Sequence, residues 1–139
     1  KHANQFLVAT VTGVVPYISF IRDYLHTKKN GQHFYILYGA SYVDEFAYDK
    51  ELLSIANNNP EVLTFIPTIS RPSEARNEGW IGETGRVNTI VEKYLDRFQL
   101  SPQDTLVYAC GHPGMISDVK TRLIPSGFEV DEERFWKED

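Results

Sequence analysis

A chain of 139 residues fits one domain, and 42% hydrophobic with 24% charged residues excludes a disordered or low-complexity polymer. Fourteen basic against nineteen acidic residues leave a net charge of −5, which argues against nucleic acid or an anionic membrane as the main partner. No apolar run is long enough to cross a bilayer, the start Lys1-His2-Ala3-Asn4-Gln5 has no signal-peptide pattern, and the single Cys110 suits a reducing cytoplasm.

Phe6-Leu7-Val8-Ala9-Thr10-Val11 is an apolar run rich in β-branched residues and predicts a buried strand, ended by Thr12-Gly13. Pro16 suits the first turn of a helix, and Tyr17, Phe20, Ile21, Tyr24 and Leu25 recur on one helical face. Asn30-Gly31 stops it. His33–Tyr38 predicts a second strand, and Asp44–Ala56 a second helix with Phe46, Leu52, Leu53 and Ile55 inward. Val62–Ile69 predicts a third strand, in which Pro67 requires an edge or a bend. The polar, glycine-punctuated stretch 70–86 reads as a long functional loop, and Val87–Phe98 returns to helical spacing. Asp104–Cys110 predicts a fourth strand, Met115–Leu123 a last helix, and Val130–Trp136 an edge strand. Strands alternating with helices at this spacing predict a three-layer α/β domain around an open parallel sheet of about five strands. Right-handed crossovers then gather the glycine turns at the sheet's carboxyl edge.

Three loops leave that edge: Thr10–Pro16, Gly39–Asp44 and Cys110–Met115. The first joins a strand to a helix start, where free N–H groups and the helix dipole suit a phosphate. Gly13 permits close approach to the backbone, and Thr12 offers a hydroxyl. The same residues also suit a tight strand–helix turn with no ligand. Cys110-Gly111-His112-Pro113-Gly114-Met115 places a small polarizable side chain at the end of a buried strand, although a lone cysteine there is commonly inert core. His112 reads equally as an ordinary loop histidine. No second His, Cys or carboxylate is spaced for a metal site or a nucleophilic triad.

Strand–Thr12-Gly13-Val14-Val15-Pro16-Tyr17, then Cys110-Gly111-His112-Pro113-Gly114-Met115, then Glu133-Arg134-Phe135-Trp136 occur in that order. Together they resemble the NAD(P)H-binding domain of the ferredoxin–NADP reductase family, especially its bacterial-type members. The resemblance covers essentially the whole chain and implies a Rossmann-like nucleotide-binding domain of ferredoxin reductase type. It implies that Thr12 and Gly13, with Thr10 and Pro16 around them, hold the pyrophosphate of NADP(H). Cys110 and Gly111 would line the nicotinamide site, with His112, Pro113 and Met115 completing that loop. Ser70 and Arg71 would grip the 2′-phosphate, joined by Arg86 and by Ser41 after the second strand. Phe135 would cover the flavin ring, with Trp136 towards the adenine; Tyr42, Tyr48 and Trp80 are further candidates near that base.

The sequence departs from the family pattern at Val11, where glycine is usual, and at Val15, where a small residue is usual. Gly39-Ala40-Ser41 replaces an arginine often found after the second strand, and Lys137-Glu138-Asp139 extends past the terminal aromatics. The flavin-binding barrel and its Arg-x-Tyr-Ser motif are not in the sequence, so the resemblance implies one domain of a two-domain flavoprotein, inactive alone. The family passes hydride from NADPH to FAD and electrons on to ferredoxin or flavodoxin. Two other readings stay open: an NADH-dependent reductase component of an oxygenase system, and a non-catalytic flavodoxin-like binding module.

Overall fold

The computed structural model describes residues 3–27 and 30–132. Among the described residues six strands form one sheet: β1 (Asn4–Thr10), β2 (His33–Ala40), β3 (Leu63–Ile69), β4 (Glu83–Thr84), β5 (Thr105–Cys110) and β6 (Glu129–Glu132). Their order is β4-β3-β2-β1-β5-β6, and every pairing is parallel. Strand order reverses beside β1, so the cleft between the ends of β1 and β5 is the topological switch point. Four helices among the described residues cover the sheet: α1 (Val15–His26), α2 (Asp49–Asn58), α3 (Val91–Arg97) and α4 (Pro113–Leu123).

β1 shows why the layers form. Phe6 and Val8 point into one apolar cluster with Val91, Tyr94, Leu95, Met115, Ile116, Val119 and Leu123. Leu7 and Ala9 point into the other, with Tyr17, Ile18, Ile21, Tyr24 and Leu52. All four β1 residues are fully buried. Alternate side chains therefore serve opposite faces, and both faces need a helical cover. Each fully buried aliphatic side chain in these clusters contributes about 2 kcal/mol.

The open parallel sheet is as expected, with a sixth strand where Glu83–Thr84 pairs with Thr68–Ile69 inside the long polar loop. Four finer expectations, on element bounds and burial, need correction. The second helix starts at Asp49, not Asp44: Val43–Glu45 is an isolated 3-10 turn. Phe46 stays extended there, and its ring packs 4.9 Å from Tyr38 and 6.0 Å from Trp80. On α2, Leu52 is buried but Leu53 is 53% exposed. Val87–Thr89 is likewise a 3-10 turn ahead of α3, and Val11 lies beyond β1 in a turn spanning Val11–Val14. Pro67 behaves as expected, since β4 pairs only with Thr68 and Ile69 and leaves Pro67 on an open flank. Phe135 and Trp136 lie outside the described residues.

Candidate functional site

Two adjoining clefts open at the carboxyl edge, and both are walled by Thr10, Val11 and His112. The larger, about 710 Å³, follows the Thr10–Gly13 turn into the start of α1, past Val15, Pro16 and Ser19, with Gly111 opposite. The smaller, about 430 Å³, lies between the ends of β2 and β3 and the turn at Gly85–Asn88, with Gly114 and Met115 behind.

The first cleft is built by two loops in backbone contact. A Cβ on Gly13 would sit 2.3 Å from the Cys110 carbonyl oxygen, so the turn needs glycine for packing alone. Gly111 has φ +132°, and a Cβ there would meet Thr10 Oγ1 at 2.1 Å. That Oγ1 accepts from the His112 N–H at 2.9 Å, which ties the end of β1 to the start of α4. His112 Nδ1 in turn accepts from the Gly114 N–H at 2.9 Å, capping α4. Pro113 and Pro16 hold the first turns of their helices, where the missing N–H costs nothing. Thr12 is exposed, and its hydroxyl makes no hydrogen bond to the described residues. The loop therefore offers a hydroxyl and helix-start N–H groups to an anion.

Val11 is strained. It has φ +45°, rare for a β-branched residue, while its carbonyl accepts from the Tyr38 hydroxyl. The same hydroxyl accepts from the Ala47 N–H at 2.8 Å, and burial raises its pKa. Val11 is 42% exposed, so its side chain adds little packing. Val11→Gly is expected to raise stability by about 1 kcal/mol, read as a higher urea midpoint at unchanged slope.

In the second cleft the backbone sets Arg86. Gly85 N donates to Ile69 O at 2.8 Å, and the buried Thr68 hydroxyl donates to Gly85 O at 2.9 Å. Asn88 Nδ2 reaches Asp118 Oδ2 at 2.6 Å on α4; that bond, with Arg122 beside it, holds the Asp118 carboxyl below the usual range. Arg86, Ser41 and Ser70 are among its lining residues, and the Arg86 guanidinium has no ion pair or hydrogen bond among the described residues. A cation and two hydroxyls around a small cleft suit a phosphate monoester.

Arg71 does not line that cleft. It pairs with Glu74 at 3.2 Å and lies 5.8 Å over Tyr42, and the Glu74 hydrogen bond, above all, raises its pKa. Tyr42 also donates to Glu74, at 3.1 Å, and Arg76 lies over its ring while forking onto Asp44. The candidates for an adenine are thus locally engaged: Trp80 stacks on Phe46 and donates to Glu83 O, and Tyr48 sits beside Arg22. Cys110 is fully buried in the α1-side cluster instead of lining either cleft, and its backbone lies against the Gly13 turn. Met115, 5% exposed, backs the second cleft.

Asn77 is the residue sequence reasoning missed. Only 1% exposed, it donates Nδ2 to Ser41 O (2.9 Å) and Arg71 O (2.8 Å), and Oδ1 accepts from Val43 N at 2.8 Å. It clamps the loop after β2 to the loop after β3. Nothing local in Ala75-Arg76-Asn77-Glu78 signals this, because all three partners are distant in sequence or on the backbone.

Residues 7–121 match the family model of the oxidoreductase NAD-binding domain. The chain belongs to that family. One relative is a component of the Na(+)-translocating NADH-quinone reductase of Klebsiella pneumoniae, 33% identical over 128 residues, covering 91% of this chain and 30% of that protein. The chloroplastic embryo isozyme of ferredoxin–NADP reductase from Oryza sativa is 26% identical over 127 residues, covering 88% of this chain and 32% of that one. The cytochrome b5 reductase domain of Ulva prolifera nitrate reductase superposes with a TM-score of 0.79 at 22% identity, covering 96% of this chain and 50% of that one. The chain thus spans less than half the length of these two curated relatives. It is an NAD(P)-binding domain of the type found in FAD-dependent reductases of the ferredoxin–NADP reductase family, and its open parallel sheet is that of such domains. The two relatives are named for different nucleotides, NADH and NADP. No helix among the described residues is long and apolar enough to cross a membrane.

Proposed function

We propose that this single domain, residues 1–139, binds NADP(H) along the two clefts and presents its nicotinamide to FAD held by a separate domain. Electrons then pass to ferredoxin or flavodoxin, in the cytoplasm. The observation that carries the choice of NADP(H) is Arg86, a cation with no ion pair among the described residues, in a cleft with Ser41 and Ser70. The pyrophosphate would lie on Thr12, Gly13 and the start of α1, with Thr10 and Pro16 shaping the turn. Gly111 and His112 would flank the nicotinamide ribose, with Cys110 beneath them. When bound, the nicotinamide supplies a hydride and the flavin accepts it; this chain contributes position and electrostatics. Phe135 and Trp136 remain proposed contacts of the flavin and the adenine.

One observation favours NADH instead: Glu74 already engages Arg71, leaving Arg86 as the one expected arginine in the cleft. Titrating the 139-residue chain with NADP+ and NAD+, followed by Trp fluorescence or amide shifts, separates the readings. Arg86→Ala is expected to weaken NADP+ binding about tenfold, the loss of one charge-assisted contact, and to leave NAD+ unaffected. Arg71→Ala is expected to do less. An unchanged NADP+ to NAD+ ratio in Arg86→Ala would remove the phosphate assignment.

A further inference from the structure

The end of β2 already contains an anion. Glu45 Oε1 accepts from the Ser41 N–H at 3.0 Å and from the Tyr42 N–H at 3.2 Å, closing the loop that leaves the strand. Ser41 is also a wall of the cleft that holds Arg86 and Ser70. Two successive N–H groups converging on one acceptor form a small anion-binding nest, and here a side chain of the same loop fills it. A phosphate beside Ser41 therefore finds those amide donors taken and a negative charge directly behind them. The Arg86 guanidinium has no ion pair among the described residues, so its charge attracts the same phosphate.

The arginines near Glu45 are already paired with other carboxylates. Arg76 is forked onto Asp44, and Arg71 is paired with Glu74, although both also feel the charge of Glu45. Two carboxylates are hydrogen-bonded to residues that line this cleft: Asp118 to the Asn88 side chain, with Arg122 as its counter-charge, and Glu45 to the Ser41 backbone, with no ion pair of its own among the described residues. We propose that Glu45 is a specificity residue that opposes Arg86 at this cleft and limits the preference for 2′-phosphorylated nucleotides. The domain consequently accepts both the phosphorylated and the unphosphorylated adenosine ribose. The inference rests on the reading that this cleft takes the adenosine end of the cofactor.

Glu45→Gln keeps an oxygen for both N–H groups and removes only the charge, so the loop closure survives. The probes are 2′,5′-ADP and ADP, titrated into the 139-residue chain and its variants with affinities read from amide shifts. Glu45→Gln is expected to tighten 2′,5′-ADP about five- to tenfold and to change ADP less than about twofold, the scale of one part-screened charge at short range. The gain should shrink as salt rises, which a purely structural change would not do. Asp96→Asn, an exposed carboxylate on α3, controls for net charge and is expected to do nothing. If Glu45→Gln leaves the 2′,5′-ADP to ADP ratio unchanged, or Asp96→Asn changes it equally, the role of Glu45 is overturned while the cleft stands. If neither nucleotide shifts the amides of Ser41, Ser70 and Arg86 in the unmodified chain, the cleft assignment itself fails and takes Glu45 with it.

Discussion

Gly13→Ala is expected to lower the thermal unfolding midpoint by about 10 °C, corresponding to about 3 kcal/mol at this chain length. The added Cβ would lie 2.3 Å from the Cys110 carbonyl oxygen, 2.6 Å from its carbon and 2.9 Å from Gly111 Cα. All three neighbours are backbone, so no side chain can swing away. Relief requires the β1–α1 turn to part from the loop after β5, and that separation breaks the alignment in which Thr10 Oγ1 accepts from the His112 N–H. The natural preference of alanine over glycine in helical turns, up to about 1 kcal/mol, works in the opposite direction and is too small to rescue the variant. Gly79→Ala is the comparison: its φ of +91° makes alanine strained, yet nothing lies within 4 Å of the new Cβ. Its cost is conformational only, about 1 kcal/mol. Circular dichroism melts of both variants decide the matter; a Gly13→Ala midpoint no lower than that of Gly79→Ala would mean the two loops are not held in contact.

The alternation of strands and helices is legible in the sequence because each central strand is apolar on both faces. Phe6–Ala9 and Ile36–Tyr38 read as unbroken runs, and such runs fit only between two helical layers. Two-residue β4 is not legible, since Glu83-Thr84 has no strand pattern of its own; the edge of β3 recruits it. The start of α2 is hidden for a related reason. Asp44 and Glu45 resemble a helix first turn, but Glu45 is spent on the Ser41 and Tyr42 amides and Phe46 is drawn to Tyr38. Of the site, Thr10, Thr12, Gly13, Ser41, Ser70, Arg86 and His112 stand out by their place at strand ends, and they wall the two clefts. The state of each side chain is another matter. Arg71 and Arg86 look equivalent as letters, yet one has a carboxylate partner three residues away and the other has none among the described residues. Cys110 looks like a cleft residue because it ends a strand; which face it points to depends on a register that only the paired sheet fixes.

Asn77→Ala is expected to cost about 2–3 kcal/mol of stability, more than a polar surface residue would, because it strands three backbone groups in a nearly water-free position. Val43 N, Ser41 O and Arg71 O each lose their side-chain partner at once. The loops after β2 and β3 then lose their shared anchor, so Ser41 is no longer held in place at the cleft, and affinity for a nucleotide there should fall about tenfold. Asn77→Asp separates packing from hydrogen bonding. It has the same shape and keeps an acceptor for Val43 N, but turns an acceptor and a charge towards two carbonyl oxygens. It is expected to be worse than alanine near neutral pH and to recover as the carboxyl is protonated at lower pH. Urea unfolding gives the stability change, and hydrogen exchange at the Val43 amide reports the clamp directly. If Asn77→Ala leaves that amide as protected as before and Asn77→Asp shows no pH-dependent recovery, the two loops are held by something other than Asn77.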